Sequence, residues 1–112
     1  HRWVIIVIRR DMENIVEKVR ERLPQEIVMK LNCTCYGAPW YETSYYPFKV
    51  LVKTICDVFN EERLFHPYTD FYDCVEVVNE ITGLGFVADE DDENWDDRDL
   101  ELEYLFDSEW FC

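Results

Sequence analysis

The sequence predicts an α+β domain: a small mixed β-sheet of about four strands packed with two to three helices. Three patterns carry this reading. Trp3 to Ile8 is an unbroken apolar run rich in β-branched residues, as expected for a strand buried on both faces. Phe48, Leu51, Val52, Ile55, Cys56 and Phe59 recur at helical spacing over three turns. Leu100 to Phe106 (LELEYLF) alternates, with Leu100, Leu102, Tyr104 and Phe106 on one side and Glu101 and Glu103 on the other, the period of a half-buried strand.

In chain order, a first strand covers residues 3–8. Asp11 is placed to cap a helix over 12–23, whose Met12, Ile15, Val16, Val19 and Leu23 form an apolar face. Pro24 ends it. Ile27, Met29, Leu31 and Cys33 then alternate within a second strand, 27–35, giving a βαβ-like N-terminal half. Tyr36 to Tyr46 is a loop broken by Gly37 and Pro39 and crowded with aromatics. Pro47 opens a helix over 47–62, as suits a first turn. Asp70 caps a third helix over 71–82, with Phe71, Cys74, Val75, Val78 and Ile81 inward, and Gly83 and Gly85 end it. Residues 86–88 supply a short strand and 90–99 a charged loop. Residues 100–106 complete an acidic C-terminal hairpin or strand; a helix starting at Asp99 is the other reading. Residues 1–112 form a single domain with no internal repeat, and one of this length can bury a core.

The chain carries a formal net charge of −14, gathered at one end. Within residues 89–112, twelve side chains are Asp or Glu and one, Arg98, is basic. Trp95, Tyr104, Phe106, Trp110 and Phe111 are interleaved with them. Such a surface repels nucleic acid and anionic membrane and attracts basic proteins. The longest apolar run, six residues, is too short to span a bilayer, and Arg9, Arg10 and Asp11 end it before it can serve as a signal-peptide core. The basic residues Lys18, Arg20 and Arg22 lie among Glu17 and Glu21, which suits a solvated salt-bridged helix face.

Catalytic chemistry finds little purchase. Five cysteines, Cys33, Cys35, Cys56, Cys74 and Cys112, form no paired secreted framework. A reduced cytoplasmic protein is therefore expected. Cys33 and Cys35 share a strand face, and Cys56 and Cys74 lie on apolar helix faces, so all four read as buried fillers. A zinc site with His66 would need spacings that are absent, and a Cys56–Cys74 disulfide is the remaining pairing. His66 is the one internal imidazole and precedes Pro67 in a helix connection. Asp89 to Glu93 lacks the glycine of a calcium loop. Gly83-x-Gly85 lacks the third glycine of a dinucleotide fingerprint. No enzyme, cofactor or metal is expected.

The remaining signal is the acidic-aromatic segment. Trp and Tyr are favoured as interface anchors, and concentrated like charge destabilises a compact fold without structural return. The expected function is an acidic inhibitor that blocks or sequesters a basic, nucleic-acid-handling protein, in its strongest form as a nucleic-acid mimic of viral or mobile-element origin acting in the host cytoplasm. Its partner-binding residues are Asp89, Glu90, Asp91, Asp92, Glu93, Trp95, Asp96, Asp97, Asp99, Glu101, Glu103 and Trp110. The partner is a basic protein that binds DNA or RNA; direct contact with nucleic acid or membrane is not expected. The alternative is a structural or adaptor module that self-associates as a homodimer through its aromatic surface.

Overall fold

The computed structural model describes the backbone of residues 2–32, 45–61 and 71–110, with side chains for 12–31, 46–61 and 71–109. Among these residues the protein is helical and contains no strand, so the α+β expectation is replaced by a helical architecture. The helices are α1 (Arg2–Arg22), α2 (Gln25–Asn32), α3 (Tyr45–Glu61), α4 (Phe71–Thr82) and α5 (Asp97–Trp110).

Each predicted strand fails for an identifiable reason. The apolar run 3–8 is the start of α1, and Asp11 lies inside that helix rather than capping it. A run with no polar interruption has no period, so it fits a strand or a helix equally. Placing β-branched residues in a helix costs only a few tenths of a kcal/mol each, which packing of α1 on α3 and α4 outweighs. In the second predicted strand, residues 27–32 belong to α2. Ile27 and Leu31 are buried at i, i+4 spacing while Met29, between them, is 59% exposed. Two positions shared by both periods had imitated alternation. Cys33 and Cys35 lie outside the described residues.

Residues 86–88 form no strand because their backbone hydrogen bonds go to side chains: Asn79 takes those of Phe86, and Asp99 takes the N–H of Val87. Residues 100–106 lie in α5. There Leu102, Leu105 and Phe106 are buried and Tyr104 is 55% exposed, a helical rather than an alternating set. The helical reading of this segment is therefore the correct one, with its start at Asp97 instead of Asp99.

The other two helices match the sequence pattern, except that α3 begins at Tyr45, inside the expected loop, rather than at Pro47. Helix α3 is the hub, packing against α1, α2, α4 and α5. Phe48, Leu51, Val52, Ile55, Cys56 and Phe59 are all buried, and so is Val58. Lys49, Lys53, Asp57 and Asn60 keep a single stripe in solvent. Helix α4 buries Cys74, Val75, Val77 and Val78.

The cations in the last turn of α1 join three helix ends. Leu23 closes α1 on the carbonyl of Val19, and the Pro24 carbonyl accepts the first hydrogen bonds of α2 from Ile27 and Val28. Arg20 donates to the Glu80 carbonyl at 2.7 Å, satisfying an acceptor left open in the last turn of α4. Arg22 pairs with Glu61 at the end of α3. That guanidinium's hydrogen bond, and secondarily its charge, holds the Glu61 carboxyl below its usual range. Among the described residues no helix is long and apolar enough to cross a membrane.

Candidate acidic interaction surface

The acidic segment begins where α4 stops. Gly83 donates its N–H to the Asn79 carbonyl at 2.7 Å with φ +70°, and Gly85 follows at φ +68°. Nothing would obstruct a Cβ at either position; glycine is needed here for the left-handed backbone alone. The chain then turns back along α4. Asn79 holds Phe86 at both polar groups, donating from Nδ2 to its carbonyl at 2.8 Å and accepting its N–H at Oδ1 at 2.7 Å. The Phe86 ring is thereby inserted edge-on against Phe48, with centroids 5.9 Å apart.

Two neighbouring residues of α5 fasten the same segment from the other side. Arg98 donates to the carbonyls of Leu84 (3.1 Å) and Gly85 (3.0 Å), and its guanidinium lies 4.9 Å from the Phe86 ring centroid. Asp99 is fully buried. Its Oδ1 accepts the Val87 N–H and its Oδ2 the Asp96 N–H, each at 2.9 Å. The second bond is the backward half of a capping box, with Asp in the position usually held by Glu. Asp99 is thus a fastener of the loop and does not present its charge to a partner.

Residues 89–96 fold by the local chemistry of Asp. The Asp89 carbonyl accepts from Asp92 N and the Asp92 carbonyl from Trp95 N. The side chains of Asp89 and Asp92 accept from the N–H groups of Asp91 and Asn94. These are two successive turns braced by Asp side chains. Asp96 Oδ1 accepts the Asp97 N–H at 2.7 Å, and Asp97 and Asp99 lie in the first turn of α5, where negative charge is favoured by the helix dipole.

Glu90, Asp91, Glu93, Asp96 and Asp97 are exposed, as is Asp89, while Asp92, Trp95, Glu101 and Glu103 are half-buried. Trp110 is the last residue of α5, and its side chain lies outside the described set. Glu103 has its pKa raised, first by burial and then by Asp107 and Glu90. The loop and the outer face of α5 therefore share one negative field.

Two clefts meet at the outer face of α4, and the smaller one adjoins this loop. A shallow one of about 340 Å³ has Val75, Phe86, Val87 and Ala88 in its lining, with Glu76, Glu80, Asp89 and Asp92 around them. A larger one of about 730 Å³ lies between α1 and α4, lined by Met12 and Val16 with Glu13, Glu17, Glu76 and Glu80. Glu76 and Glu80 line both. None of these glutamates was among the residues expected to bind. The signal available was the like-charge i, i+4 spacing of Glu13 with Glu17 and of Glu76 with Glu80, which is mildly unfavourable on a helix.

Cys56 and Cys74 are both buried, as expected of apolar fillers, and the alternative disulfide between them is not formed. Burial, reinforced by Glu109 and Asp57, pushes the Cys56 thiol up to about 12. A thiol so protonated is a poor nucleophile. Among the described residues no three His, Cys, Asp or Glu side chains converge as a metal site would require. His66 and the aromatic loop residues Tyr36, Trp40 and Tyr41 fall outside the described residues. No protein-family profile, characterised protein or solved structure matches this chain.

Proposed function

We propose that this protein is an acidic inhibitor that blocks or sequesters a basic, nucleic-acid-handling protein by offering carboxylates where that partner would hold phosphates. Viral or mobile-element anti-defence proteins, or immunity proteins against nuclease toxins, are the kinds of protein that would act this way, in the cytoplasm of a host. The observation that carries the reading is the fastening of the acidic loop. Asn79, Arg98 and Asp99 hydrogen-bond the backbone at its two ends, residues 84–87 and 96, and Asp89 and Asp92 brace the turns between. Glu90, Asp91, Glu93, Asp96 and Asp97 are exposed on that braced segment. A solubility tail would need no such bracing, whereas fixed charges lower the ordering cost of association and steer a basic partner to the surface.

The test is competition. The immobilised protein retains nucleic-acid-binding proteins at low ionic strength and releases them as salt rises and as duplex DNA is added. Retention that duplex DNA leaves undiminished would reject the mimic.

A further inference from the structure

We infer that the trough formed by the two adjoining clefts is a docking groove for a basic amphipathic segment of the partner, with Lys or Arg flanking one or two apolar side chains. The inference rests on the acidic-inhibitor reading and names the part of the surface, and the chemistry of the partner, through which it acts.

The lining has the two characters such a segment requires. Val75, Phe86, Val87 and Ala88 give the smaller cleft an apolar floor, and Met12 and Val16 give one to the larger. The walls carry six carboxylates, Glu13, Glu17, Glu76, Glu80, Asp89 and Asp92, against one cation among the described lining residues, Arg20. Charge complementarity therefore selects a cationic occupant, and the floor selects one that also brings an apolar anchor. Polymeric phosphate or a purely basic tail would leave the floor uncovered.

Position along the trough is also constrained. Arg20 is tied to the Glu80 carbonyl and opposes a cation at the α1 end. The partner's cations then lie toward Asp89 and Asp92, and its apolar side chain over Val87 and Ala88. The floor is preformed, because Asn79 and Asp99 hold Phe86 and Val87 in place. Its occupant binds without reordering the loop.

The experiment compares two synthetic peptides of about 18 residues, or five helical turns, on the intact protein. One has Leu at i, i+3, i+4 and i+7 with Lys elsewhere; the other is polylysine. Binding is followed through backbone amide NMR shifts and fluorescence anisotropy. The amphipathic peptide shifts the amides of Glu76, Glu80, Val87 and Ala88. It binds about tenfold tighter than polylysine, the margin expected of a single buried anchor. Ala88→Trp, which fills the smaller cleft, removes that margin and leaves polylysine binding unchanged. The double variant Glu76→Lys with Glu80→Lys alters only exposed side chains, so it does not depend on Ala88→Trp folding, and it weakens the amphipathic peptide at least as much. Equal affinities for the two peptides, with shifts confined to Glu90 to Glu93, would overturn the groove while leaving the acidic-surface reading standing. Failure of both peptides to bind at low salt would overturn both.

Discussion

Asp99 shows how one buried charge organises an otherwise self-repelling segment. Its two oxygens accept the backbone N–H groups of Val87 and Asp96, twelve and three residues upstream. Its neighbour Arg98 places Nε 3.8 Å from Oδ2. Replacing it leaves two donors without an acceptor, each costing roughly 1–3 kcal/mol when buried. Asp99→Ala is therefore expected to lose about 2–6 kcal/mol in urea unfolding and to release amide protection at Val87 and Asp96. A loss below about 0.5 kcal/mol, the range of ordinary surface substitutions, would mean that solvent replaces the carboxylate and the loop is not fastened there. Cys56 gives a test with a definite sign. Its thiol titrates higher folded than unfolded, so its contribution to stability is complete below about pH 9 and is lost as pH rises through the folded value near 12. The loss has a ceiling of about 1.4 kcal/mol per pH unit. Cys56→Ala removes that part of the alkaline slope, and an identical slope in the variant would show that the thiol is not the titrating group.

The elements differ in how much of them was legible. Helices α3 and α4 are readable because polar residues such as Lys49, Lys53, Asp57 and Glu76 interrupt their apolar positions at helical spacing, so the period declares itself. Trp3 to Ile8 contains no polar residue and therefore no period, and β-branching alone favoured the wrong answer. Residues 100–106 failed in another way. Leu102 and Phe106 satisfy both periods, and Tyr104, an exposed aromatic, completed a false alternation. The location of the acidic surface was legible from composition. The roles of Asn79, Arg98 and Asp99 were not, since a polar residue that fastens a distant backbone group has no local pattern. The inward and outward faces of α5 can be separated experimentally. Leu102→Ala should cost about 2–5 kcal/mol and Tyr104→Ala no more than about 0.5 kcal/mol in denaturant unfolding. Large, similar losses at both would place both side chains on one buried face and restore the strand.

At the scale of the whole molecule, a helical core built around α3 carries a field that works against it. Folding buries part of Glu103 and sets Asp107 and Glu90 beside it, and these raise its pKa in that order. A carboxyl with a raised folded pKa contributes stability that is present at low pH and lost as pH rises through that value, so this cluster is least favourable at neutral pH. Glu61 runs the other way: with a lowered folded pKa, its contribution is present at neutral pH and lost as pH falls through the folded value. As an exposed pair with Arg22, it contributes little. Neutralising Glu90, Asp91, Glu93 and Asp97 together, as Gln, Asn, Gln and Asn, changes exposed side chains outside the loop's fastening bonds. The variant should fold as before and melt higher at low ionic strength. The advantage should shrink as salt brings the screening length to about 8–10 Å, and Glu103 should titrate closer to its ordinary range. The same four changes should slow association with a basic partner and flatten its salt dependence, leaving dissociation nearly unaltered. If the variant gains stability but associates at the wild-type rate, the loop's charge is a cost borne for some purpose other than recognition, and the inhibitory surface must be sought elsewhere on the molecule.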